Sequence, residues 1–500
     1  MRSTSPPSSV AHWLRALTLA VACVGYSAPG AAVGPDDLPD IGSSASAAIS
    51  VEDEYRIGLG ALRELRASGQ VLEDPEVTQY IDTLGHQLSA DAQDGIHKFQ
   101  FFVVKDRTLN AFAVPGGFIF VHSGLILETH NESELAGVLA HEISHVTQRH
   151  IVRSLLEQRK SGMTSAAAML AAILLGAAGG ADVALAGIAG AQTLALGQQM
   201  SFSRDMESEA DRVGIAVLAR AGFDPLGMPN FFEIIASRTG GAESRLPAIV
   251  LDHPVNSERI AESKARAATF PNRLITDSAG YSLVRERLRV LTTPPGENAL
   301  PYYMAAKRRN EQLSAAQRYG EALALMSSNR PAEAIPILKA LAVVDERIVQ
   351  YRVALGEAQL LTGDGKAAKN TFEQSLKLFP RNIAVTVRYA DALVRLGEPQ
   401  RAHTLLLDLF NNVPPTPEQA RQIAFAANAA GETADAYSYM AEYHLMTGDL
   451  PLAMTQLQMA LSAPKLSGVQ RARFRARLDE IRAAMPRRSP RENQDGGHSR

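Results

Sequence analysis

The chain has 500 residues, of which 46% are hydrophobic and 21% are charged, and its formal net charge is -3. A chain of this length is too long for one hydrophobic core, so two or three globular units are expected. The balanced charge provides no basic footprint, and nucleic acid is therefore excluded as an expected partner.

The N-terminus has the layout of a secretory signal peptide. Positive charges at Arg2 and Arg15 precede the uncharged stretch 16–28, and small residues follow up to Ala32. The apolar part is shorter than the roughly 20 residues that a membrane-spanning helix needs. We expect residues 1–32 to be a signal peptide that is cleaved near Ala32, with a retained anchor as the alternative.

The only cysteine of the chain, Cys23, lies inside this segment. Lipoprotein anchoring at Cys23 is a weaker alternative, because Ala20 stands where a lipoprotein signal usually carries a larger aliphatic residue. If the peptide is removed, the mature chain has no thiol and cannot form a disulfide.

The next elements follow from turn residues and apolar periodicity. Residues 33–50 are rich in Gly, Pro, Ser and Asp and predict an exposed lead-in. Two helices are predicted after it, over 51–66 and from Asp74-Pro75 through Leu88. Strand-forming residues fill 99–104 and 111–121, and Pro115-Gly116-Gly117 predicts a tight bend within the second run.

A helical pattern then runs from Glu132 to about Arg159 and is followed by an unusual segment. Between Ser161 and Ser203 the only charged residue is Asp182, and Ala and Gly dominate. A lid on the preceding domain and a peripheral membrane contact through 161–203 both fit this composition.

The last third of the chain contains a helical repeat. Gly363 and Gly397 are 34 residues apart, and each is followed by alanine after five residues and by an apolar residue after nine. The same register reaches back to Asn329, whereas Gly448 opens a final copy that is shifted in phase after a weaker stretch around Gly431. This period is typical of tetratricopeptide repeats, with an incidental array of helix pairs as the alternative. We expect a helical linker over 266–315, repeats over 316–485 and a disordered tail over 486–500.

The chemistry is concentrated in His141-Glu142-Ile143-Ser144-His145. Histidines at i and i+4 lie about 40° apart around a helix and can converge on one metal ion. Glu142 lies about 100° from His141 and can reach water on that ion without displacing a ligand. Zinc lowers the pKa of such a water, and the carboxylate can pass its proton to the leaving amine.

A tetrahedral zinc site needs a third protein ligand. His150 lies about 180° from His141 on one continuous helix, so we expect it at the surface. Glu207 and Asp211 share a helix face at i and i+4. Glu207 can bind the metal, while Asp211 accepts the other ring N–H of a ligand histidine.

Four sequence segments together resemble peptidase family M48: His141 to His145, Glu207-x-Glu209-Ala210-Asp211-Arg212-x-Gly214, His253-Pro254, and Asn110 to Gly117. The resemblance covers roughly 50–265 and implies an α+β fold. A mainly helical zincin-type peptidase domain with a small β-sheet would occupy 51–265, and an all-α tetratricopeptide-repeat solenoid would follow.

The resemblance also implies site roles. His141, His145 and Glu207 would bind one zinc ion per chain, Glu142 would be catalytic, and Asp211 would be a catalytic or orienting acid. An edge strand near 112–121 would pair with the substrate backbone through Phe112, Ala113, Gly116 and Gly117. In related proteins the histidine at His253 stabilises the tetrahedral intermediate or closes the zinc site; we expect closure, and hence self-inhibition.

The signal peptide and the repeats are most similar to periplasmic members of the family in Gram-negative bacteria. This implies an endopeptidase that acts on misfolded or stalled outer-membrane proteins, with repeats that dock on the outer-membrane assembly machinery or on the client. The alternative is a chaperone or scaffold that uses the repeats and rarely cuts. A purely structural zinc module is a third hypothesis, which the intact Glu142 and the open fourth position disfavour.

Overall fold

The computed structural model describes residues 49–90, 92, 96–160, 202–239, 249–250, 253–271 and 275–484. The predicted signal peptide, Cys23, almost all of the lead-in, nearly the whole segment 161–203 and the C-terminal tail lie outside these residues. Among the described helices, none combines the length and the apolar character that a bilayer crossing requires.

The N-terminal half is α+β, as the sequence predicts. Its strands are β1 (Gln100–Val104), β2 (Ala111–Val114) and β3 (Phe118–His122). Its helices are α1 (Val51–Ala67), α2 (Pro75–Ala90), α3 (Ser123–Glu128), α4 (Glu132–Thr147), α5 (His150–Lys160), α6 (Arg204–Arg220), α7 (Gly227–Thr239) and α8 (Ser257–Ala267).

The described strands form one sheet in the order β1-β3-β2. β3 is central, parallel to β1 and antiparallel to β2. The predicted bend is the turn between β2 and β3, where Gly116 and Gly117 have φ values of 88° and 89°. A Cβ on Gly116 would lie 2.5 Å from the Cα of Tyr55, so α1 packs directly against this turn.

The hydrophobic core of this half lies between the sheet, α2, α4, α6 and α7. Helix α4 is buried on nearly every face, which explains the apolar residues around its polar triplet. Its N-terminus is capped by Asn131, whose side chain accepts the N–H of Glu134 at 3.0 Å. The site residues on α4 therefore project from a rigid, desolvated helix.

The stretch predicted as a linker contains α9 (Ala279–Leu291) and α10 (Leu300–Arg308). Helix α9 packs on α2 and α3 of the peptidase half and on the first helix of the repeats. Tyr281 and Leu288 on α9 are fully buried. The segment is therefore helical, as expected, but it is part of the packed core and does not act as a spacer.

The repeats consist of α11 (Ala315–Ser327), α12 (Pro331–Val344), α13 (Val349–Leu361), α14 (Gly365–Leu378), α15 (Ile383–Arg395), α16 (Pro399–Phe410), α17 (Pro417–Ala429), α18 (Thr433–Thr447), α19 (Leu450–Ser462) and α20 (Gly468–Ala484). Each packs on the next along the chain. The predicted small and apolar positions Ala368, Phe372, Ala402 and Leu406 are all fully buried.

The turns inside the helix pairs keep the 34-residue period. Asn329, Gly363, Gly397 and Gly431 all have positive φ, between 59° and 83°. Gly431 therefore belongs to the regular register, and the weak stretch predicted there is a full turn of the solenoid. Asn and Gly tolerate this left-handed conformation because their steric penalty is small.

Candidate metal centre

Helix α4 presents His141 and His145 to one point, as their spacing predicts. Their Nε2 atoms are 3.0 Å apart, and the two residues are 4% and 1% exposed. Glu142 lies beside them and is equally buried, and its Oε1 has no hydrogen-bond partner in the described part of the chain. An unpartnered carboxylate oxygen in a closed site is a group prepared to bind a proton or a polar ligand.

Helix α6 crosses α4 and supplies Glu207 and Asp211. The helices approach closely at Gly214, where a Cβ would lie 3.1 Å from the carbonyl oxygen of Ala140. Oδ1 of Asp211 lies 2.9 Å from Nδ1 of His141, which leaves Nε2 of His141 to face the other ligands. The structure thus brings together the two motifs that are sixty residues apart in the sequence.

His253 completes the cluster from the loop before α8. Its Nδ1 is 3.3 Å from Nε2 of His141 and 2.8 Å from Oε1 of Glu207. Its Nε2 points towards Glu142, at 3.6 Å from Oε1. The family resemblance left the role of this histidine open, and the structure places it in direct contact with the predicted ligands and the predicted base.

The donor atoms of His141, His145, Glu207 and His253 all lie within 4.8 Å of one another. Separations within the cluster include 2.8 Å between His253 and Glu207, 3.5 Å between His145 and Glu207 and 3.6 Å between His141 and Glu207. Tetrahedral zinc with bonds of about 2.0–2.1 Å requires ligand atoms roughly 3.3–3.4 Å apart. Three imidazoles and a carboxylate at these separations fit a metal ion of the zinc type.

The two buried glutamates of the cluster, Glu207 and Glu142, have pKa values shifted in opposite directions. Burial would raise the pKa of Glu207, but His253 and Arg259 outweigh burial and lower it to about 2. Burial raises the pKa of Glu142 above its usual range, although His253 and His141 oppose the shift. Glu207 is therefore stabilised as an anion, which is the form that binds a metal ion. Glu142 is a stronger base than Glu207.

For His253, the neighbouring charges outweigh the effect of burial on its pKa. Burial alone would lower its pKa, but Glu207 and Glu142 raise it to about 9. An imidazole that faces two carboxylates is stabilised as a cation whenever no metal competes for its Nδ1. A proton on His253 and a metal ion are thus alternative partners of the same carboxylates.

Arg259 on α8 is a site residue that sequence reasoning missed. It donates two hydrogen bonds to Asp211, at 2.6 and 2.8 Å, and its Nη1 lies 2.6 Å from Glu207 Oε2. Its guanidinium also lies over the ring of Phe232, 4.6 Å from the centroid. Arg259 holds both acidic residues of α6, and no local signal in Ser257–Ala267 distinguishes it from a solvated charge.

The prediction that His150 lies at the surface is wrong. The helix predicted to be continuous breaks after α4, where Arg149 adopts a positive φ of 51°. The break turns His150 inward, so it is fully buried with its Nδ1 3.1 Å from Nδ1 of His145. Glu54 of α1 forms an ion pair with Arg149 in this conformation. Burial, opposed by Glu209, lowers the pKa of His150 to about 4, so the ring is neutral.

The predicted edge strand near 112–121 is β2 alone, because β3 is central. The N–H of His122 donates to Asn110 at 2.9 Å, so by alternation the N–H and C=O of Ala113 point away from β3. The backbone of Ala113 faces the Glu142 carboxylate and opposes, by a small amount, the rise in its pKa. Gly116 and Gly117 are explained by the turn and by its packing on α1 and Lys98.

This fold and this site define a metal-dependent peptidase of the zincin type, joined to a repeat solenoid. A model of peptidase family M48 matches residues 75–267, and a tetratricopeptide-repeat model matches 359–424. The chain belongs to peptidase family M48. It is 34% identical over 482 residues to the beta-barrel assembly-enhancing protease of Escherichia coli, which covers 95% of this chain and 98% of that protein.

Other relatives are similar to most or to part of this chain. The protein of the same name from Yersinia pestis is 33% identical, over 89% of this chain and 92% of its own. The mitochondrial metalloendopeptidase OMA1 of Schizosaccharomyces pombe is 30% identical, over 42% of this chain and 60% of its own. A solved tetratricopeptide-repeat protein of Thermus thermophilus is 20% identical, with a TM-score of 0.24, over 40% of this chain and 93% of its own.

Proposed function

We propose that the protein is a zinc-dependent endopeptidase that acts on misfolded or stalled outer-membrane proteins. The observation that carries the enzymatic part is the closed cluster of His141, His145 and Glu207 with Glu142 beside it. These three residues would hold a zinc ion, which would supply Lewis-acid chemistry to a peptide carbonyl and to water. Glu142 takes the proton of the attacking water and delivers it to the leaving amine.

The raised pKa of Glu142 supports this role, because burial makes the carboxylate a better proton acceptor. The substrate would add a strand to the free edge of β2, where the backbone of Ala113 faces Glu142. The ring of Phe112 on β2 packs against the ring of Phe120 on β3, with the two centroids 5.1 Å apart. This contact holds the β2 edge in place. The scissile bond would then lie beside the base.

The test of the mechanism compares metal content and peptide cleavage in the parent, Glu142→Gln and Glu207→Ala. Glu142→Gln should retain zinc and lose cleavage, because the amide keeps the shape of the side chain but cannot accept the proton. Glu207→Ala should lose both zinc and cleavage. Zinc-dependent cleavage that persists in Glu142→Gln would contradict the mechanism.

We further propose that His253 restrains the enzyme by occupying the fourth ligand position. Its Nδ1 lies among the ligand atoms, at the distances expected for a coordinating group. His253→Ala should therefore increase cleavage of casein by the full-length protein. Unchanged or lower activity would instead favour stabilisation of the tetrahedral intermediate by this histidine.

The closed site favours one alternative function, a chaperone or scaffold with little proteolysis. The two functions differ in their dependence on Glu142. If Glu142→Gln supports outer-membrane assembly as well as the parent does, the scaffold function is sufficient. If it does not, cleavage is required.

The repeats would dock the client or the outer-membrane assembly machinery. A cleft of about 710 Å³ lies between them and the peptidase half, and Phe425 on α17 is one of its lining residues. Phe425 is 64% exposed, which is unusual for a phenylalanine. Full-length Glu142→Gln should capture outer-membrane proteins, and adding Phe425→Ser should weaken capture more than adding Val469→Ser, a control that is 80% exposed on α20.

The similarity to beta-barrel assembly-enhancing proteases and the N-terminal pattern support a periplasmic location. Fractionation of cells that produce the full chain, with N-terminal sequencing of the mature protein, tests both the location and cleavage near Ala32. Retention of residues 1–32 or an acylated Cys23 would replace this assignment with one of the two alternatives.

A further inference from the structure

A row of polar side chains in contact extends from the buried His145, a proposed metal ligand, to partly exposed residues. Nδ1 of His145 lies 3.1 Å from Nδ1 of His150, and Nε2 of His150 lies 3.1 Å from Oε2 of Glu209. Arg153 binds the same Glu209 oxygen at 2.8 Å. We propose that His150, held by Glu209, is a positioning residue that sets the orientation and tautomer of His145 for metal binding. This inference rests on the proposed metallopeptidase function.

Once His145 binds metal, the donor and the acceptor in each contact from His145 to Glu209 are determined. Nε2 of His145 lies 3.0 Å from Nε2 of His141 and 3.5 Å from Oε1 of Glu207. In the metal-bound protein, the lone pair of this Nε2 would coordinate the metal. The hydrogen of His145 must then be on Nδ1 and is donated to Nδ1 of His150. His150 must carry its own hydrogen on Nε2, and it donates that hydrogen to the Glu209 carboxylate.

The position of His150 is over-determined by its surroundings. The residue is fully buried, and it begins α5 directly after the left-handed Arg149. Arg149 is anchored by its ion pair with Glu54 and by a hydrogen bond of 2.7 Å to the carbonyl of Ile49. A left-handed arginine is strained and persists only where other contacts hold it. These contacts therefore present the imidazole of His150 to His145 at a fixed distance.

The two ligand histidines of α4 consequently have different partners. Nδ1 of His141 contacts the carboxylate of Asp211 directly, at 2.9 Å. His145 donates to a neutral imidazole, and the negative charge of Glu209 reaches it only through that ring. Partners of this kind fix ligand orientation, and their loss typically reduces metal affinity by about 10–100-fold.

The experiment measures zinc affinity by competition with a chromogenic chelator, and the visible spectrum after Co²⁺ substitution, in full-length variants. His150→Phe keeps the ring volume but removes the acceptor, and we expect about a 10–100-fold loss of affinity with a shifted cobalt spectrum. His150→Gln can accept with Oε1 and donate with its amide, so it should recover part of the loss. His403→Phe, which removes a buried imidazole of the repeats, is the matched control and should bind like the parent.

A merely structural role predicts a different pattern. His150→Phe would then lower the melting temperature of the metal-free protein, while the affinity and the cobalt spectrum of the folded protein would remain parental. That result overturns the proposal. If His150→Phe does not fold, Glu209→Ala decides, because Glu209 is at the edge of the cluster with 28% of its side chain exposed. An affinity loss of about tenfold supports the proposal, and parental affinity overturns it.

The outcome for the parent separates this inference from the proposed function. If the parent binds no zinc, the metallopeptidase proposal fails at its first step, and the positioning role fails with it. If the parent binds zinc and loses it in Glu207→Ala, the metal site stands. His150→Phe with parental affinity then refutes only the positioning role.

Discussion

Replacing Glu76 by glutamine should change how stability depends on pH. Glu76 is buried in the first turn of α2, where Tyr319 donates to its Oε2 at 2.9 Å and Arg287 lies 3.2 Å from its Oε1. Asp74 receives the stronger pairing, with two hydrogen bonds from Arg287 at 2.7 and 2.8 Å and one from Arg388 at 3.0 Å. The positive charges of Arg287 and Arg388 therefore stabilise the buried carboxylate of Asp74 more than that of Glu76.

The magnitude follows from the two pKa values. Burial raises the pKa of Glu76 from 4.5 to about 7, although Arg287 opposes the shift. Between these values the folded protein retains a proton that the unfolded chain releases, so the free energy of unfolding falls as pH rises. The full loss above pH 7 is at most about 3.5 kcal/mol, since a tenfold change in proton affinity corresponds to about 1.4 kcal/mol.

Asp74 has the opposite sign and a separate window. Burial would raise its pKa, but Arg287 and Arg388 lower it from 3.8 to about 2. Its contribution to stability is complete above its unfolded pKa and is lost only as pH falls towards 2. Measurements between pH 4.5 and 8 therefore report on Glu76 without interference from Asp74.

The assay is thermal unfolding of the metal-free parent and of Glu76→Gln across that pH range. The amide cannot ionise, so the difference in melting temperature between variant and parent should grow in favour of the variant from pH 5 to pH 7.5. Glu321→Gln, which removes a buried carboxylate paired with Lys307, is the control and should follow the parent. A constant difference between Glu76→Gln and the parent at every pH would refute the reasoning.

Two further predictions concern the site and the sheet. Arg259→Lys should reduce kcat/KM for peptide cleavage by about 10–100-fold, because lysine cannot bind Asp211 bidentately; an unchanged kcat/KM would show that charge alone suffices. Gly116→Ala should destabilise the protein by well over 1 kcal/mol, because the new Cβ would meet Tyr55 Cα at 2.5 Å in addition to the strain of a positive φ. Gly222→Ala has the same strain at φ 90° but open space, so denaturant unfolding should show a smaller loss; equal losses would contradict the packing argument.

The parts of the structure that the sequence predicts correctly depend on local rules. His141 and His145 are one helical turn apart, and Glu207 and Asp211 repeat that spacing, so the face they share follows from helix geometry. The solenoid follows from its period. Its turns require only residues that tolerate a left-handed conformation, and such residues are visible in the sequence.

The errors concern residues whose conformation is imposed from a distance. The helix breaks at Gln148 and Arg149, where no glycine or proline marks an end, and Arg149 is bound there by Glu54 from far earlier in the chain. His150 consequently faces inward rather than outward. Arg259 is similar, because its partner Asp211 lies on another helix 48 residues away. Long-range ion pairs of this kind leave no periodic trace in a single sequence.

Arg259 also connects the ligand set to the proposed restraint. The same guanidinium that binds Asp211 donates to the carbonyl of Pro254 at 3.1 Å, next to His253. If this bond breaks, the loop that carries His253 loses one charge-assisted hydrogen bond of about 1.5–3 kcal/mol, while both bonds to Asp211 remain. His253 can therefore withdraw without dismantling the ligands.

The Pro254 bond is one of the contacts that hold the loop closed, since Nδ1 of His253 also lies 2.8 Å from Oε1 of Glu207. A stabilisation of about 1.5–3 kcal/mol from the Pro254 bond favours the closed form by roughly 10–100-fold. His253→Ala should therefore raise casein cleavage by at least about tenfold, and zinc content should not fall. A variant that loses zinc together with activity would mean that His253 is needed to hold the metal, and a gated site would be the wrong description.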